Sequence, residues 1–197
     1  MSYAINEIFY SLQGEGVRAG TANVFVRFSG CNQTCKKETH GFDCDTEFVS
    51  SEKYSLDALL AEIKDIAPRC RSVILTGGEP GLQLDSDLIT ALKQQQYYLA
   101  VETNGSLEMP AGLDWITVSP KVAEHCIRQM RADEVKYVRN VGQGIPKPLC
   151  KASHKLLSPA AEGKYIDPDS LRWCIKLIKQ NPEWRLSVQQ HKTWNVR

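Results

Sequence analysis

The sequence lacks several features that mark whole classes of protein. No apolar run approaches the roughly 20 residues that a membrane-spanning helix needs, and the N-terminus has neither the basic start nor the apolar stretch of a signal peptide. An excess of one charge is also missing, because 24 Lys and Arg residues face 23 Asp and Glu residues. Non-specific nucleic-acid binders carry a basic excess. We therefore expect a soluble, cytoplasmic protein that contacts neither a membrane nor nucleic acid directly.

Internal repeats, low-complexity tracts and linkers rich in Gly or Ser are absent as well. The 197 residues are 42% hydrophobic and 24% charged, which is ordinary globular composition. A chain of this length buries about 70% of its unfolded surface, enough for one good core. We expect a single domain over residues 1–197.

The seven cysteines form a poor disulfide framework, because their number is odd and the cytoplasm keeps thiols reduced. Three of them, Cys31, Cys35 and Cys44, lie close together in the sequence. The other four are scattered, and we expect them to have no function: Cys70, Cys126, Cys150 and Cys174. Clustered thiols in a reducing compartment indicate a soft metal.

The cysteine cluster by itself is compatible with two metal sites. His40 lies between the second and third cysteines, so Cys31, Cys35, His40 and Cys44 would complete a tetrahedral zinc site. Alternatively, the three thiolates hold three irons of a four-iron cluster and leave the fourth iron open to another ligand. The spacing of the cysteines does not decide between these sites.

Strand and helix patterns alternate along the chain and predict an α/β protein. Runs of β-branched, aromatic and aliphatic residues predict strands at 23–28, 72–76, 98–102, 115–118, 134–138, 155–157 and 185–189. Apolar residues at helical spacing predict a helix capped by Ser55, one carrying Leu84, Leu88, Ile89 and Leu92, and one near Asp169 with Leu171, Cys174, Ile175 and Ile178 inward. Strands separated by helices favour a mostly parallel sheet, either open or in a partial barrel.

Polar motifs lie at or just after the ends of five predicted strands. They are Thr76–Pro80, Glu102–Gly105, Ser119–Lys121, Ser158–Pro159 and Gln189–His191. Parallel sheets and barrels build their active sites at the carboxyl ends of the strands. These five segments therefore predict one large site.

The motif Thr76-Gly77-Gly78-Glu79-Pro80 places two glycines where the backbone would approach a ligand closely. In isolation it would serve equally well as a tight strand-to-helix connection. Together with three cysteines after the first long predicted strand, it resembles the radical S-adenosylmethionine (SAM) enzymes. That resemblance implies an incomplete parallel (β/α) barrel, a [4Fe–4S] cluster on the three cysteines of the 31–44 loop, and SAM on the open iron. One electron from the cluster would cleave SAM to a 5′-deoxyadenosyl radical.

Further motifs resemble the 7-carboxy-7-deazaguanine synthase family. They occur in order along the chain: Ile8–Gly16, Phe25–Asn32, Cys44–Thr46, Thr76–Pro80, Glu102–Gly105, Ser119–Lys121 and Gln189–Lys192. The resemblance implies conversion of 6-carboxy-5,6,7,8-tetrahydropterin to 7-carboxy-7-deazaguanine with release of ammonia, on the pathway to queuosine. It also implies Mg²⁺, a homodimer, and reduction by a flavodoxin or ferredoxin.

The same resemblance implies roles for individual residues. Substrate would contact Leu12, Gln13, Gly14, Glu15, Arg27, Thr76, Gln190, His191 and Arg197, within a closing segment at 185–197. SAM would contact Gly77, Gly78, Glu79, Glu102, Asn104, Ser119, Pro120, Lys121 and Ser158. Arg27 would hold the substrate carboxylate with its planar guanidinium, and Thr46 would bind Mg²⁺ through oxygen. No catalytic side chain is expected beyond the cluster and the SAM radical.

Two departures from the family pattern affect particular contacts. Residues 36–43 separate the second and third cysteines, where the family often has only two residues. Ser158 stands where the family tends to have an amide. Two alternative functions remain: a radical SAM activase of a partner enzyme, and a zinc-knuckle binding module.

Overall fold

The computed structural model describes residues 2–40, 44, 47–163 and 165–196. The strands are β1 (Ser2–Leu12), β2 (Ala22–Phe28), β3 (Glu52–Ser55), β4 (Ser72–Gly77), β5 (Tyr98–Thr103), β6 (Trp115–Val118), β7 (Arg131–Arg139), β8 (Lys151–Pro159), β9 (Ala161–Glu162), β10 (Tyr165–Ile166) and β11 (Trp184–Leu186). The α-helices are α1 (Lys37–His40), α2 (Leu56–Ile66), α3 (Ser86–Gln94), α4 (Pro168–Gln180) and α5 (Gln190–Trp194). All helices among these residues are too short or too polar to cross a membrane.

Among the described residues, nine strands form one sheet in the order β11-β8-β7-β6-β5-β4-β2-β1-β3. Every neighbouring pair from β2 to β11 is parallel, whereas β1 runs antiparallel to both β2 and β3. The edge strands β11 and β3 do not pair with each other in the described part of the chain, so the sheet is not closed. The predicted α/β fold with an incomplete parallel barrel is confirmed.

The sequence alternation along β2 separates the helix-covered face of the sheet from its inner face. Val24, Val26 and Phe28 belong to the core that packs against α2 and α3. Phe25 faces the other way and stacks on Phe9 of β1, with 4.9 Å between the ring centroids. The inner face therefore has an apolar patch, and a second helix-side core lies between β7, β8 and α4.

The helices begin where the sequence provides caps. The Ser55 hydroxyl accepts a hydrogen bond from the Ala58 N–H at the start of α2, and Asp85 accepts one from the Leu88 N–H at the start of α3. Asp167 caps α4 in the same way, by accepting from the Ser170 N–H. These caps fix the helices that follow β3, β4 and β10.

Several sequence-based element predictions were wrong. No strand was predicted at Ser2–Leu12, yet β1 is the longest strand described. The described segments 104–114 and 140–150 connect parallel strands without an α-helix, so strand and helix do not alternate there. The strand predicted at 185–189 is only Trp184–Leu186, and a short helix, α5, begins at Gln190.

The inward face of α4 also differs from its prediction. Cys174 is fully buried, as expected, but Ile175 is 42% exposed. Ser170 and Leu177 are buried together with Cys174, because residues spaced by three and four share one face of a helix. The buried face of α4 therefore contains Ser170, Cys174 and Leu177, and Ile175 lies beside it.

Candidate active site

A cavity of about 1070 Å³ lies inside the sheet, and the carboxyl ends of the parallel strands line it. It collects most of the predicted site residues: Leu12, Gln13, Gly14, Glu15, Arg27, Cys31, Cys35, Cys44, Thr76, Gly77, Gly78, Glu102, Asn104, Ser119, Lys121, Ser158 and His191. Glu79, Pro120 and Gln190 are outside its described lining. Thr46 and Arg197 lie outside the described residues.

The three clustered cysteines line the cavity together, and none forms a disulfide. Cys31 lies three residues after β2, and the Cys44 N–H donates to the Cys35 carbonyl at 3.4 Å. Burial raises the pKa of the Cys31 thiol, so binding of its thiolate by a positive iron centre would offset that penalty. The chemistry of this donor set, three thiols on one wall, fits an iron–sulfur cluster.

The geometry around His40 does not support the zinc alternative. Within the described residues, no three His, Cys, Asp or Glu side chains are placed to hold one metal ion. His40 instead accepts a hydrogen bond from the Lys36 N–H through Nδ1. A tetrahedral zinc site draws four ligands to one ion, whereas each cysteine of a four-iron cluster binds a different iron.

The Gly-Gly turn after β4 packs directly on the backbone that leads into the cysteine loop. Gly77 has a φ of +129°, and a Cβ atom there would lie 2.2 Å from the Phe28 carbonyl oxygen. The Gly78 N–H donates to that same oxygen at 3.1 Å, and the Glu79 N–H donates to the Gly30 carbonyl at 2.9 Å. Glycine is needed at both positions because no side chain fits between the two backbones.

Glu79 is fully buried and bonds to protein groups. Its carboxylate accepts hydrogen bonds from the Thr103 hydroxyl at 2.7 Å, the Asn104 N–H at 2.8 Å and the Gly81 N–H at 3.0 Å. Burial raises the pKa of Glu79, and these three donors oppose the rise. Glu79, predicted to contact SAM, therefore fixes the turn after β5 in position beside the Gly-Gly turn.

The side chains after β5 and β6 form the adjoining wall. Asn104 donates through Nδ2 to Asn32 in the cysteine loop at 3.0 Å. The Lys121 ammonium donates to the Ser119 hydroxyl at 3.0 Å, and both residues line the cavity. Ser158 of β8 is buried on the same cavity. This wall is polar and carries hydroxyl, amide and ammonium groups.

Arg27 faces the cavity from β2, in register with Thr76 of β4. Its Nε donates to the Glu7 carboxylate at 2.9 Å, and its guanidinium lies 5.8 Å from the centre of the Phe9 ring. The guanidinium is therefore oriented by β1, the strand that the sequence did not predict. A planar cation in this position suits a carboxylate ligand.

The loop after β1 enters the cavity because β1 is antiparallel to its neighbours. Gln13 donates through Nε2 to the Glu102 carboxylate at 2.8 Å. Glu15 accepts from the Lys136 ammonium at 2.5 Å, and Lys136 also lies 3.3 Å from Glu102. The predicted substrate residues of this loop are thus tied to β5 and β7, and Glu102 belongs to their network rather than to the Ser119 wall.

Lys136 was missed by the sequence analysis, which identified only a strand at 134–138. Lys136 is 6% exposed and Glu134 is 2% exposed, and both point inward from β7. Glu134 accepts from the Thr117 hydroxyl and from the Val17 N–H, each at 2.9 Å. The available signal was the charged pair Glu134 and Lys136 at alternate positions of the strand predicted at 134–138, because residues two apart share one face of a strand.

The charges of this network are strongly coupled. Burial alone would raise the pKa of Glu15, but the charge and hydrogen bond of Lys136, the hydrogen bond from Gln189 and the charge of His191 lower it to about 2. Burial lowers the pKa of Lys136, but the carboxylates of Glu102 and Glu15 outweigh it and raise the pKa. Burial and the charge of Glu102 raise the pKa of Glu134. At neutral pH the cluster therefore contains an ionised Glu15 and a charged Lys136.

The C-terminal segment covers the loop after β1. The Gln190 N–H donates to the Gly14 carbonyl at 2.9 Å, and Gln189 donates through Nε2 to Glu15 at 3.0 Å. A Cβ atom on Gly14 would lie 2.3 Å from His191 Nδ1, so glycine is required for this approach. Gln190 contributes its backbone here, whereas His191 contributes its ring to the cavity.

The chain is similar over its whole length to proteins that share one name. Residues 12–115 match a family model described as a 4Fe-4S single cluster domain. The chain is 39% identical to the 7-carboxy-7-deazaguanine synthase of Bacteroides thetaiotaomicron, with all of both chains covered. It is also 39% identical, again over all of both chains, to the protein of that name from Bradyrhizobium diazoefficiens.

The fold is similar to one of the solved structures over nearly the same extent. The crystal structure of QueE from Escherichia coli superposes with a TM-score of 0.71 and 25% sequence identity, covering 97% of this chain and 95% of that chain. The overall fold is therefore common to both proteins.

Proposed function

The chain belongs to the 7-carboxy-7-deazaguanine synthase family of radical SAM enzymes, and we propose that its cavity converts 6-carboxy-5,6,7,8-tetrahydropterin to 7-carboxy-7-deazaguanine and ammonia in queuosine biosynthesis. One observation carries this assignment. The cavity that holds the three clustered thiols also holds Arg27 and the Glu15–Lys136–Glu102 network. A carboxylated pterin needs a cation for its carboxylate and acceptors for its N–H groups, and this cavity offers both.

The cofactors of this enzyme are a [4Fe–4S] cluster and SAM. We assign the cluster to Cys31, Cys35 and Cys44, and the methionine part of SAM to the backbone at Gly77 and Gly78. When bound, the cluster and SAM supply the radical that removes hydrogen from C6 of the pterin. Asn104, Ser119, Lys121 and Ser158 are proposed to contact the rest of SAM, because they form the adjoining polar wall.

The substrate is proposed to lie between Arg27 and the loop after β1. Arg27 holds its carboxylate, and Glu15 and Glu102 accept hydrogen bonds from the amino and ring N–H groups of the pterin. Thr76 lies beside Arg27 on the neighbouring strand, and His191 approaches from the C-terminal segment. Leu12, Gln13 and Gly14 complete the wall of the loop. The chain's role is to bind and orient the pterin and to exclude water.

We further propose Mg²⁺ bound by Thr46, a homodimer, a flavodoxin or ferredoxin as the reductant, and a cytoplasmic location. Arg197 is proposed to contact the substrate from the end of the closing segment. A reducing cytoplasm suits three cluster thiols that must not form disulfides.

The test begins with anaerobically reconstituted protein, its visible spectrum, and its iron, sulfide and zinc content. We expect a brown protein with about four irons per chain. Cys31→Ala, Cys35→Ala and Cys44→Ala should each abolish the cluster, whereas His40→Ala should retain it. A colourless protein with one zinc that is lost on His40→Ala would establish the binding-module alternative instead.

Turnover separates the synthase from the activase alternative. With SAM, dithionite and Mg²⁺, the reconstituted protein should convert the carboxytetrahydropterin to a product with the mass of 7-carboxy-7-deazaguanine. An activase would cleave SAM only with a partner enzyme and would leave the pterin unchanged. A brown protein that gives no such product refutes the proposed reaction but not the cluster.

A further inference from the structure

Lys136 is a buried cation in the wall of the cavity, and it joins two separate parts of the chain. Its ammonium lies 2.5 Å from Glu15, which belongs to the loop after β1, and 3.3 Å from Glu102, which belongs to β5. Only 8% of the Lys136 side chain is exposed. An exposed surface ion pair contributes little to stability, whereas a buried ammonium that contacts two carboxylates fixes the positions of both.

The remaining oxygens of the two carboxylates are held from the other side. Glu15 Oε1 accepts from Gln189 at 3.0 Å, and Glu102 Oε1 accepts from Gln13 at 2.8 Å. Both carboxylates therefore have fixed orientations, and a carboxylate oxygen has two lone pairs and so can accept more than one hydrogen bond. The two carboxylates thus share one ammonium at this end of the cavity.

This arrangement favours a ligand edge that is rich in N–H donors. An ionised carboxylate is an acceptor only, whereas a protonated carboxyl group also donates. Pairing with Lys136 keeps Glu15 ionised, and without that pairing burial would favour its protonated form. Lys136 therefore determines whether Glu15 presents only an acceptor to the ligand or also a donor.

We propose that Lys136 is a specificity-determining residue: its ammonium holds Glu15 and Glu102 together as hydrogen-bond acceptors, and so selects a 2-amino-4-oxo pyrimidine ring over the corresponding 2,4-dioxo ring. The proposal rests on the proposed function, since it concerns the pterin of that same site. Lys136 acts through the two glutamates, and it is therefore a positioning residue.

Two probes that differ at C2, and consequently in the protonation of the neighbouring N1, give the direct test. Pterin-6-carboxylate presents an amino group where lumazine-6-carboxylate presents a carbonyl oxygen, and both keep the carboxylate for Arg27. Their dissociation constants are measured with the reconstituted, SAM-loaded protein by equilibrium dialysis. We expect the wild-type protein to prefer the pterin by at least about 10-fold, as expected for loss of a hydrogen bond to a charged group.

Lys136→Met should weaken pterin binding by about 10- to 100-fold and bring the two affinities close together. The matched control is Lys93→Met, which removes a lysine that is also paired with a carboxylate, Asp114, at 2.8 Å but lies outside the described lining of the cavity. It should leave both affinities unchanged. An unchanged preference for the pterin in Lys136→Met would overturn the proposal.

A pH profile distinguishes this role from simple loss of structure. The charged and polar groups around the Glu15–Lys136 pair are Glu134 on β7, Glu102 on β5, and Gln189 and His191 in the C-terminal segment. Without Lys136, pterin affinity should fall as pH decreases from 8 to 5, because Glu15 takes up a proton. In the wild-type protein, protonation of Glu15 should change the pterin affinity much less over this pH range. Parallel pH profiles for the wild-type protein and Lys136→Met would contradict the proposal.

A second pair of variants covers the case in which Lys136→Met does not fold. Lys136→Met/Glu15→Gln leaves no unpaired charge on the loop, and it is compared with Glu15→Gln alone. A further loss of pterin preference in the double variant supports an action of Lys136 on Glu102, and equal preferences overturn it. Wild-type protein that binds the pterin selectively without turning it over would refute the reaction and leave this specificity role standing.

Discussion

Gly78 lies so close to Gly30 that a Cβ atom on Gly78 would stand 2.0 Å from the Gly30 carbonyl oxygen. The contact joins two motifs that are far apart in the sequence, the Gly-Gly turn after β4 and the entrance to the cysteine loop. Parallel pairing of β2 with β4 produces it, since Phe28 is in register with Gly77. The proposed SAM and cluster contacts are therefore positioned by one backbone-to-backbone approach.

Gly78→Ala should disrupt that approach. The added methyl group meets backbone rather than a flexible side chain, so we expect destabilisation of about 1–3 kcal/mol and weaker binding of both cluster and SAM. Thermal unfolding and iron content measure the two effects. Gly144→Ala is the matched control, because a Cβ atom there meets nothing within 4 Å. Normal cluster loading in Gly78→Ala would show that the cysteine loop tolerates separation from the turn.

Glu79→Gln should destabilise the protein although it keeps the size of the side chain. Three donors point at the carboxylate, and an amide would direct its own NH₂ group at one of them. We expect a loss of about 1–3 kcal/mol in urea unfolding, together with weaker SAM binding through displacement of Asn104. Glu108→Gln, at an exposed position, should change neither quantity. Full stability with weakened SAM binding would instead indicate direct contact with the cofactor.

Arg27→Lys should raise the KM for the carboxytetrahydropterin by about 10-fold or more, because an ammonium cannot reproduce the bidentate contact of a guanidinium. The affinities of pterin-6-carboxylate and unsubstituted pterin for the reconstituted protein identify the cause. The variant should lose affinity for the carboxylate only. Arg71→Lys, which alters an arginine outside the described lining of the cavity, is the control. Equal losses for both probes would place Arg27 away from the carboxylate.

A tag fused after Arg197 should raise the substrate KM or abolish turnover. The C-terminal segment contacts the loop after β1 through Gln189, Gln190 and His191, so added residues would disturb its closure. Steady-state kinetics of protein tagged at the N-terminus and at the C-terminus provide the comparison. Identical kinetics would remove Arg197 from the proposed site.

The sequence was most informative where local chemistry is unusual. Clustered thiols, a Gly-Gly turn and polar strand ends each point to a site, and the structure brings most of these residues to one cavity. It was least informative at β1, whose pairing with β2 and β3 is set by partners distant in the sequence. Propensity is a weak guide when tertiary pairing decides the conformation. The loop after β1 enters the cavity only because that strand is antiparallel.

The sequence by itself determined the family and the mostly parallel α/β class, because these depend on residue types in a fixed order. Tertiary structure alone decided that Lys136 joins Glu15 to Glu102, and that Glu79 supports a turn from a fully buried position. The physical reason is that the charge and role of an ionisable group depend on its burial and its neighbours. Those neighbours come from strands and loops that only the folded sheet brings together.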